Sequence, residues 1–320
     1  MVKDMLLVDG NNKSVGINLS TERRMHPRAE ASLPIRLEVG SHPSASSSNL
    51  IGETIDIGEG GLAMTLRHRL MLPSVVSIYL DSIPSCPHIE AKTEVLWSEP
   101  YLATRDKGFR YGLRFLNVDI GSLKKFIGEI NRKQVGDYLG AVIPDDTKEK
   151  IKENYIFEKF DQKQIMKVID FKPPFLKIEK MVVLGSDRQD LIGKWSVGTG
   201  ILTVDDTKGH YNDTIFLAQC GWLMGSAASI FLAILFPSTS PQVVEVDRIR
   251  PSTDRTLWKP SPNGSRFFIE TRILKKKLQV VIVNVKITFG DIFMGEVERL
   301  KLVLTPKDSI WEAKELMGSK

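Results

Sequence analysis

The stretch from Ile215 to Phe236 carries no formally charged residue. At about 1.5 Å per residue, a helix of that length reaches across the ~30 Å hydrocarbon core of a bilayer. It must therefore either span a membrane or be wrapped by protein on all sides. Its composition favours the second. Gln219, Gly221, Gly225, Ser226, Ala227, Ala228 and Ser229 lie within it, the preceding DDTKGHYND offers no clear basic anchor, and there is a single such segment. The expectation is a core helix without a membrane span, whose small residues at 225–229 let strands approach its backbone.

The surrounding sequence supplies the wrapping. Two strand-like runs, KIEKMVVLG and LIGKWSVGTG, precede the helix, and QVVEVDRIR, SRFFIETRIL, LQVVIVNVKITF and FMGEVERLKLVL follow it. In the last two, apolar residues alternate with polar ones, as in a sheet with one buried face. This order predicts an α+β unit, an antiparallel sheet curled around one helix. Upstream the pattern differs. LPIRLEV, LIGETIDI, VVSIYLD, HIEAKTEVLW and FRYGLRFLNV are short apolar-rich runs separated by turn residues and by the polar loop SHPSASSSN. Such runs predict an all-β barrel or sandwich. A helix is expected next, from about Ile120 to Asn131, with Leu123, Phe126, Ile127 and Ile130 on its buried face.

A chain of 320 residues suits two domains. The boundaries expected are a poorly ordered polar segment over 1–20, a first domain over 21–135, a linker with some helix over 136–165, and a second domain over 166–320. WEAKELM near the C-terminus reads as a short helix capping the second domain. Cys86 and Cys220 make no metal spacing and no disulfide framework, which points to a reducing compartment, the cytoplasm. The opening MVKDMLLVDGNNKSVG lacks the parts of a signal peptide. The net charge of +5 suits an anionic ligand but is too small to argue for a nucleic-acid polymer. Lys275-Lys276-Lys277 reads as a solvated hairpin end, with docking of an acidic carrier protein as the functional alternative. Trp97, Trp195 and Trp258 read as packing residues.

Two elements carry the chemistry of the first half. Glu22-Arg23-Arg24-Met25-His26-Pro27-Arg28 precedes the first strand, and Pro27 disfavours helix there. Guanidinium groups bind phosphate in a bidentate way, pair with guanine O6 and N7, and stack on bases. By itself this is a solvated basic arm. The second element, Asp56-Ile57-Gly58-Glu59-Gly60-Gly61, lies at a strand end, where glycines permit close approach of a ligand. A carboxylate such as that of Asp56 accepts hydrogen bonds from a guanine N1–H and N2–H₂ edge. By itself this is a tight hairpin turn. Together they resemble the PilZ family, whose signature is RxxxR followed by [D/N]xSxxG. Arg24 and Arg28 match the first motif, and Asp56 and Gly61 the second. The strand endings EVLW and YGLRF fall at suitable distances. The resemblance covers about residues 21–118. It implies a six-stranded barrel that binds cyclic di-GMP, with Arg23, Arg24 and Arg28 on phosphates and guanine faces, Asp56 on a guanine edge, and Gly58 and Gly61 shaping the turn. Gly58 replaces the serine of the pattern, which removes one hydrogen bond worth about 1 kcal/mol.

In the second half, Asp170-Phe171-Lys172-Pro173-Pro174-Phe175-Leu176 opens the domain and Gly209-His210-Tyr211 precedes the apolar helix. With VEVDRIR further on, these resemble the hotdog fold of 3-hydroxyacyl-[acyl carrier protein] dehydratases over about residues 166–306. In that family a histidine acts as general base and an acidic residue of the central helix assists. His210 takes the histidine position. The best counterpart of the acid is Gln219, which orients a carbonyl or water but transfers no proton. Asp213 reads equally as a helix N-cap.

These resemblances lead to a cyclic di-GMP receptor whose hotdog domain binds an acyl-CoA, an acyl carrier protein or another partner, is catalytically degenerate and forms a homodimer. The second reading is a cyclic di-GMP-regulated dehydratase or thioesterase, and the third a scaffold in which the hotdog serves dimerisation. No metal is expected.

Overall fold

The computed structural model describes residues 28–39, 48–67, 69, 75–84, 86–102, 107–169, 177–186, 190, 192–202, 213–252 and 264–307. The segment 1–20, Arg23, Arg24, the DFKPPFL opening, His210 and its neighbours, Trp258 and WEAKELM lie outside them.

Alternation builds the first sheet. In β2 (Pro34–Val39) Ile35 and Leu37 are fully buried while Arg36 faces water. In β5 (Val75–Leu80) Val76, Ile78 and Leu80 take the inner face. With β3 (Ser48–Gly58), β4 (Gly61–Leu66), β6 (Ile89–Leu102) and β7 (Lys107–Val118), the order is β3-β2-β5-β6-β7-β4, and β4 pairs back onto β3. The result is a closed six-stranded antiparallel barrel. A short β1 (Arg28–Glu30) is added along β3. Bulges at Thr54/Asp56, Lys92/Thr93 and Val95/Trp97 bend the long strands enough to close so small a ring.

Asp119 starts α1 (Ile120–Leu139) by accepting hydrogen bonds from the backbone N–H groups of Gly121 and Ser122, and Gly140, with φ 61°, ends it. The helix continues about two turns beyond the expected stop at Asn131. Its first half plugs the barrel with Leu123, Phe126, Ile127 and Ile130. Its second half does something else. Val135 and Leu139 join Ile143 and Ile151 against Val182, Leu184, Trp195, Val197 and Phe268 on the outer face of the second sheet.

The expected linker, 136–165, is folded. After the end of α1 come α2 (Asp145–Lys152), β8 (Tyr155–Asp161) and the start of α3 (Gln162–Val168), which opens on a capping box between Asp161 and Gln164. Thr147 and Ile151 are the buried side of an otherwise charged α2. Glu129 of α1 takes Arg132 at 2.7 Å and Lys152 of α2 at 2.9 Å, so the two helices are joined by a nearly buried carboxylate.

The second sheet adds β9 (Ile178–Gly185), β10 (Trp195–Leu202), β11 (Thr239–Pro251), β12 (Ser265–Lys277), β13 (Val280–Phe289) and β14 (Ile292–Pro306) in the antiparallel order β11-β14-β13-β12-β10-β9-β8. β8 is an edge strand, paired with β9. The uncharged segment forms nearly all of α4 (Asp213–Leu235), and its long apolar face shares one core with Val183, Phe267, Ile269, Val285 and Leu302. Ala218–Leu235 is long and apolar enough to cross a membrane, but here the sheet encloses most of it. Ala227 and Ala228 are buried, as expected for close approach, and Gly200 lets Leu223 settle on β10, since a Cβ there would stand 2.7 Å from it.

Candidate ligand-binding sites

The first site lies where β1 meets the β3–β4 hairpin. Register pairs Arg28 with Gly58 and Glu30 with Asp56. Arg28 donates from Nη1 to Asp56 Oδ1 at 2.5 Å, and both side chains keep part of their surface open, 26% and 18%. The hairpin turns through Glu59-Gly60, and Gly58 faces Gly61 across it. Gly61 has φ 158° and backs so closely onto β7 that a Cβ would fall 2.0 Å from the Leu113 carbonyl oxygen, which no side chain tolerates. Arg28, Asp56, Gly58 and Gly61, far apart in sequence, thus share one corner. The arrangement offers a guanidinium held in place by a carboxylate beside a glycine turn. That suits a phosphate-bearing base, whose charge the guanidinium meets and whose N–H edge the carboxylate accepts.

Glu59, between these residues, belongs to a different network. Tyr155 of β8 donates its hydroxyl to Glu59 Oε1 at 2.8 Å, and Lys124 of α1 stands 3.4 Å from Oε2. Burial, reinforced by Glu59, raises the Tyr155 hydroxyl above its ordinary pKa and keeps it a donor. Gln134 of α1 also donates to the Glu30 carbonyl of β1. The β3–β4 hairpin is therefore fastened to the second sheet. No local sequence signal marks Tyr155, which is 96 residues from Glu59.

The second site is a cavity of about 1050 Å³ between α4 and the β11–β14 edge. Trp222, Met224, Gly225, Ser229, Val243 and Val297 are among its walls. No Asp or Glu is among the described residues that line it. Cys220 also lines it, but burial pushes its thiol up to about 12, so it remains protonated and unreactive at neutral pH. Gln219 is partly buried one position before Cys220 and does not belong to the cavity wall.

A charged row crosses the outer face of the second sheet. Arg250, Glu296, Lys286 and Glu270 stand opposite one another on β11, β14, β13 and β12. Glu270, 4% exposed, also accepts from Thr147 at 2.8 Å and Arg272 at 2.5 Å, and Lys286 bonds Asp146 at 2.9 Å. With every acid paired, this row anchors α2. No group of His, Cys, Asp and Glu able to hold a metal occurs among the described residues.

The fold and the first site define a closed β-barrel with an Arg–Asp–Gly corner. A family model described as PilZ domain matches residues 22–131. No curated protein matches the chain. Among solved structures, the PilZ domain of YcgR from Escherichia coli with c-di-GMP is similar, at 18% identity over 36% of this chain and 97% of that one, with a TM-score of 0.31. MotI/DgrA, an inhibitor of motility from Bacillus subtilis, shows 15% identity over 36% of this chain and 53% of that one, with a TM-score of 0.29, so this chain spans about half of it. The dehydratase domain of a mycocerosic acid synthase-like polyketide synthase shows 12% identity over 86% of this chain and 75% of that one, with a TM-score of 0.35.

Proposed function

We propose that this chain is a cyclic di-GMP receptor whose second domain binds an acyl thioester, as acyl-CoA or acyl carrier protein, without turning it over efficiently. The observation that carries the first half is the Arg28–Asp56 pair at 2.5 Å above the Gly58–Gly61 turn, inside the PilZ match. Arg24, and Arg23 beside it, would complete the basic clamp on the phosphates. The second half rests on the cavity beside α4, apolar enough for an acyl chain and lacking a carboxylate among its described walls. Dehydration of a 3-hydroxyacyl thioester needs a base for the α-proton and an acid for the departing hydroxyl. His210 would supply the base. Gln219, off the wall, cannot supply the acid.

The chain is proposed to work as a homodimer in the cytoplasm. β11 is an edge strand with Val243, Val244, Val246 and Ile249 all at least 45% exposed, and a second copy of the same edge covers them with C2 symmetry. A coupled assay with 3-hydroxyacyl and enoyl thioesters of several lengths, with and without cyclic di-GMP, tests the degenerate reading. Low turnover indifferent to His210→Ala is expected. Robust turnover abolished by that substitution would make the domain a regulated dehydratase or thioesterase instead. An acyl ligand retained on purification is also expected, and its absence would leave the domain a dimerising scaffold.

A further inference from the structure

The β12–β13 hairpin ends on a residue that the fold does not need. Leu278 has φ 52°, a conformation that glycine and asparagine adopt easily and a branched aliphatic side chain does not. It is also 83% exposed, the most exposed large apolar residue described. Strain without burial brings no stability, which points to a use outside the fold. Around it, Val280, Ile282 and Val303 line a shallow hollow of about 670 Å³ on the outer face of the sheet. Lys275 and Lys277 form the rim of that hollow and have no partner among the described residues. From Arg272 to Gly290 the sequence contains no acidic residue at all.

We propose that this hairpin tip docks on an anionic lipid surface, with Leu278 entering the interface and Lys275 and Lys277 facing phosphate headgroups, while Lys276 stays on the other face over the Phe236 ring. The choice of occupant follows from size and charge. A stable protein interface needs about 20–30 residues a side, far more than this patch of aliphatic side chains. A bilayer requires only a short apolar insertion backed by a few cations. A projecting leucine in a turn also suits a plane better than a groove. The tip lies at the opposite end of β12 from Phe268, where α1 packs, so docking leaves that joint free.

The test is cosedimentation of the full chain with phosphatidylcholine vesicles, with and without about 30 mol% phosphatidylglycerol. The protein should pellet with the anionic vesicles and remain in solution with the neutral ones. Binding should fall as salt rises from about 0.1 M to 0.5 M, because screening shortens the reach of the lysines. Leu278→Asn should reduce binding about tenfold while leaving the melting temperature unchanged or higher, since asparagine accepts the turn. The double variant Lys275→Glu/Lys277→Glu should abolish binding. Equal pelleting with both vesicle types, no pelleting with either, or binding unaffected by these substitutions would overturn the proposal. If the wild-type chain ignores vesicles but binds a purified acidic carrier protein through Lys275 and Lys277, the surface is a protein site and the lipid reading is wrong.

Discussion

Arg28 and Asp56 are the residues on which the ligand reading turns, and the sequence shows both without showing that they touch. The 2.5 Å pair orients the guanidinium at the mouth of the corner. A charge-assisted hydrogen bond contributes about 1.5–3 kcal/mol, so Arg28→Ala should weaken cyclic di-GMP binding by one to two orders of magnitude. Arg24→Ala should do the same. Titration calorimetry on the full chain checks both, and an effect below twofold at either would remove that arginine from the site. Gly61→Ala has a different signature. Its Cβ would collide with the Leu113 carbonyl at 2.0 Å, so it should unfold or strongly destabilise the barrel, as seen in a lost or much lowered thermal transition. The glycines were legible as a motif, and the reason for this one is the backbone of β7 behind it.

At the scale of elements, α1 and α2 carry what the sequence hid. Burial alone would raise the Glu129 carboxyl, but hydrogen bonds from Lys152 and Arg132 overcome it and hold the group below the ordinary glutamate value. A lowered folded pKa means stability that is present above the unfolded value of about 4.3 and lost as pH falls through the folded one. Glu129→Gln should therefore cost about 1.5–3 kcal/mol at pH 7 and make melting less sensitive to acid below about pH 4.3. Thermal melts of both proteins from neutral to acidic pH check this, and parallel curves would contradict it. Strands such as PIRLEV and VVIVNV announce themselves by alternation, and α4 by its lack of charge. The α2 segment, DDTKEKIK, does not, since only Thr147 and Ile151 turn inward. β8 is hidden for a related reason. YIFEKFD buries Phe160 fully, exposes Asp161 and leaves its other residues partly open, so an edge strand reads like a linker. Edge character also gives a prediction at β11. Val244→Lys, on a strand whose apolar residues lack cover, should convert a dimer at tens of micromolar into a monomer by light scattering, whereas a monomeric wild type would contradict the dimer.

For the whole molecule, the question is whether the Arg28–Asp56 corner and the cavity beside α4 form one mechanical system. α1 contributes Phe126 to the barrel core and Leu139 to the outer face of the second sheet, and Tyr155 fastens the Glu59 hairpin to β8. A helix embedded at both ends transmits a shift at one end to the other as long as it stays continuous. Lys133→Pro, between the two halves, should cost about 3 kcal/mol of helix stability and split a single cooperative melt into two transitions, leaving cyclic di-GMP binding in place. One unsplit transition in that variant would mean that joints outside α1, the Tyr155–Glu59 bond among them, hold the halves together. The central claim is simpler than the coupling, and one measurement addresses it: titration calorimetry of cyclic di-GMP into the intact chain, beside Arg28→Ala. The account predicts saturable binding to the wild type that is weakened ten- to a hundredfold in the variant. No detectable binding to the intact protein at high micromolar ligand would contradict it.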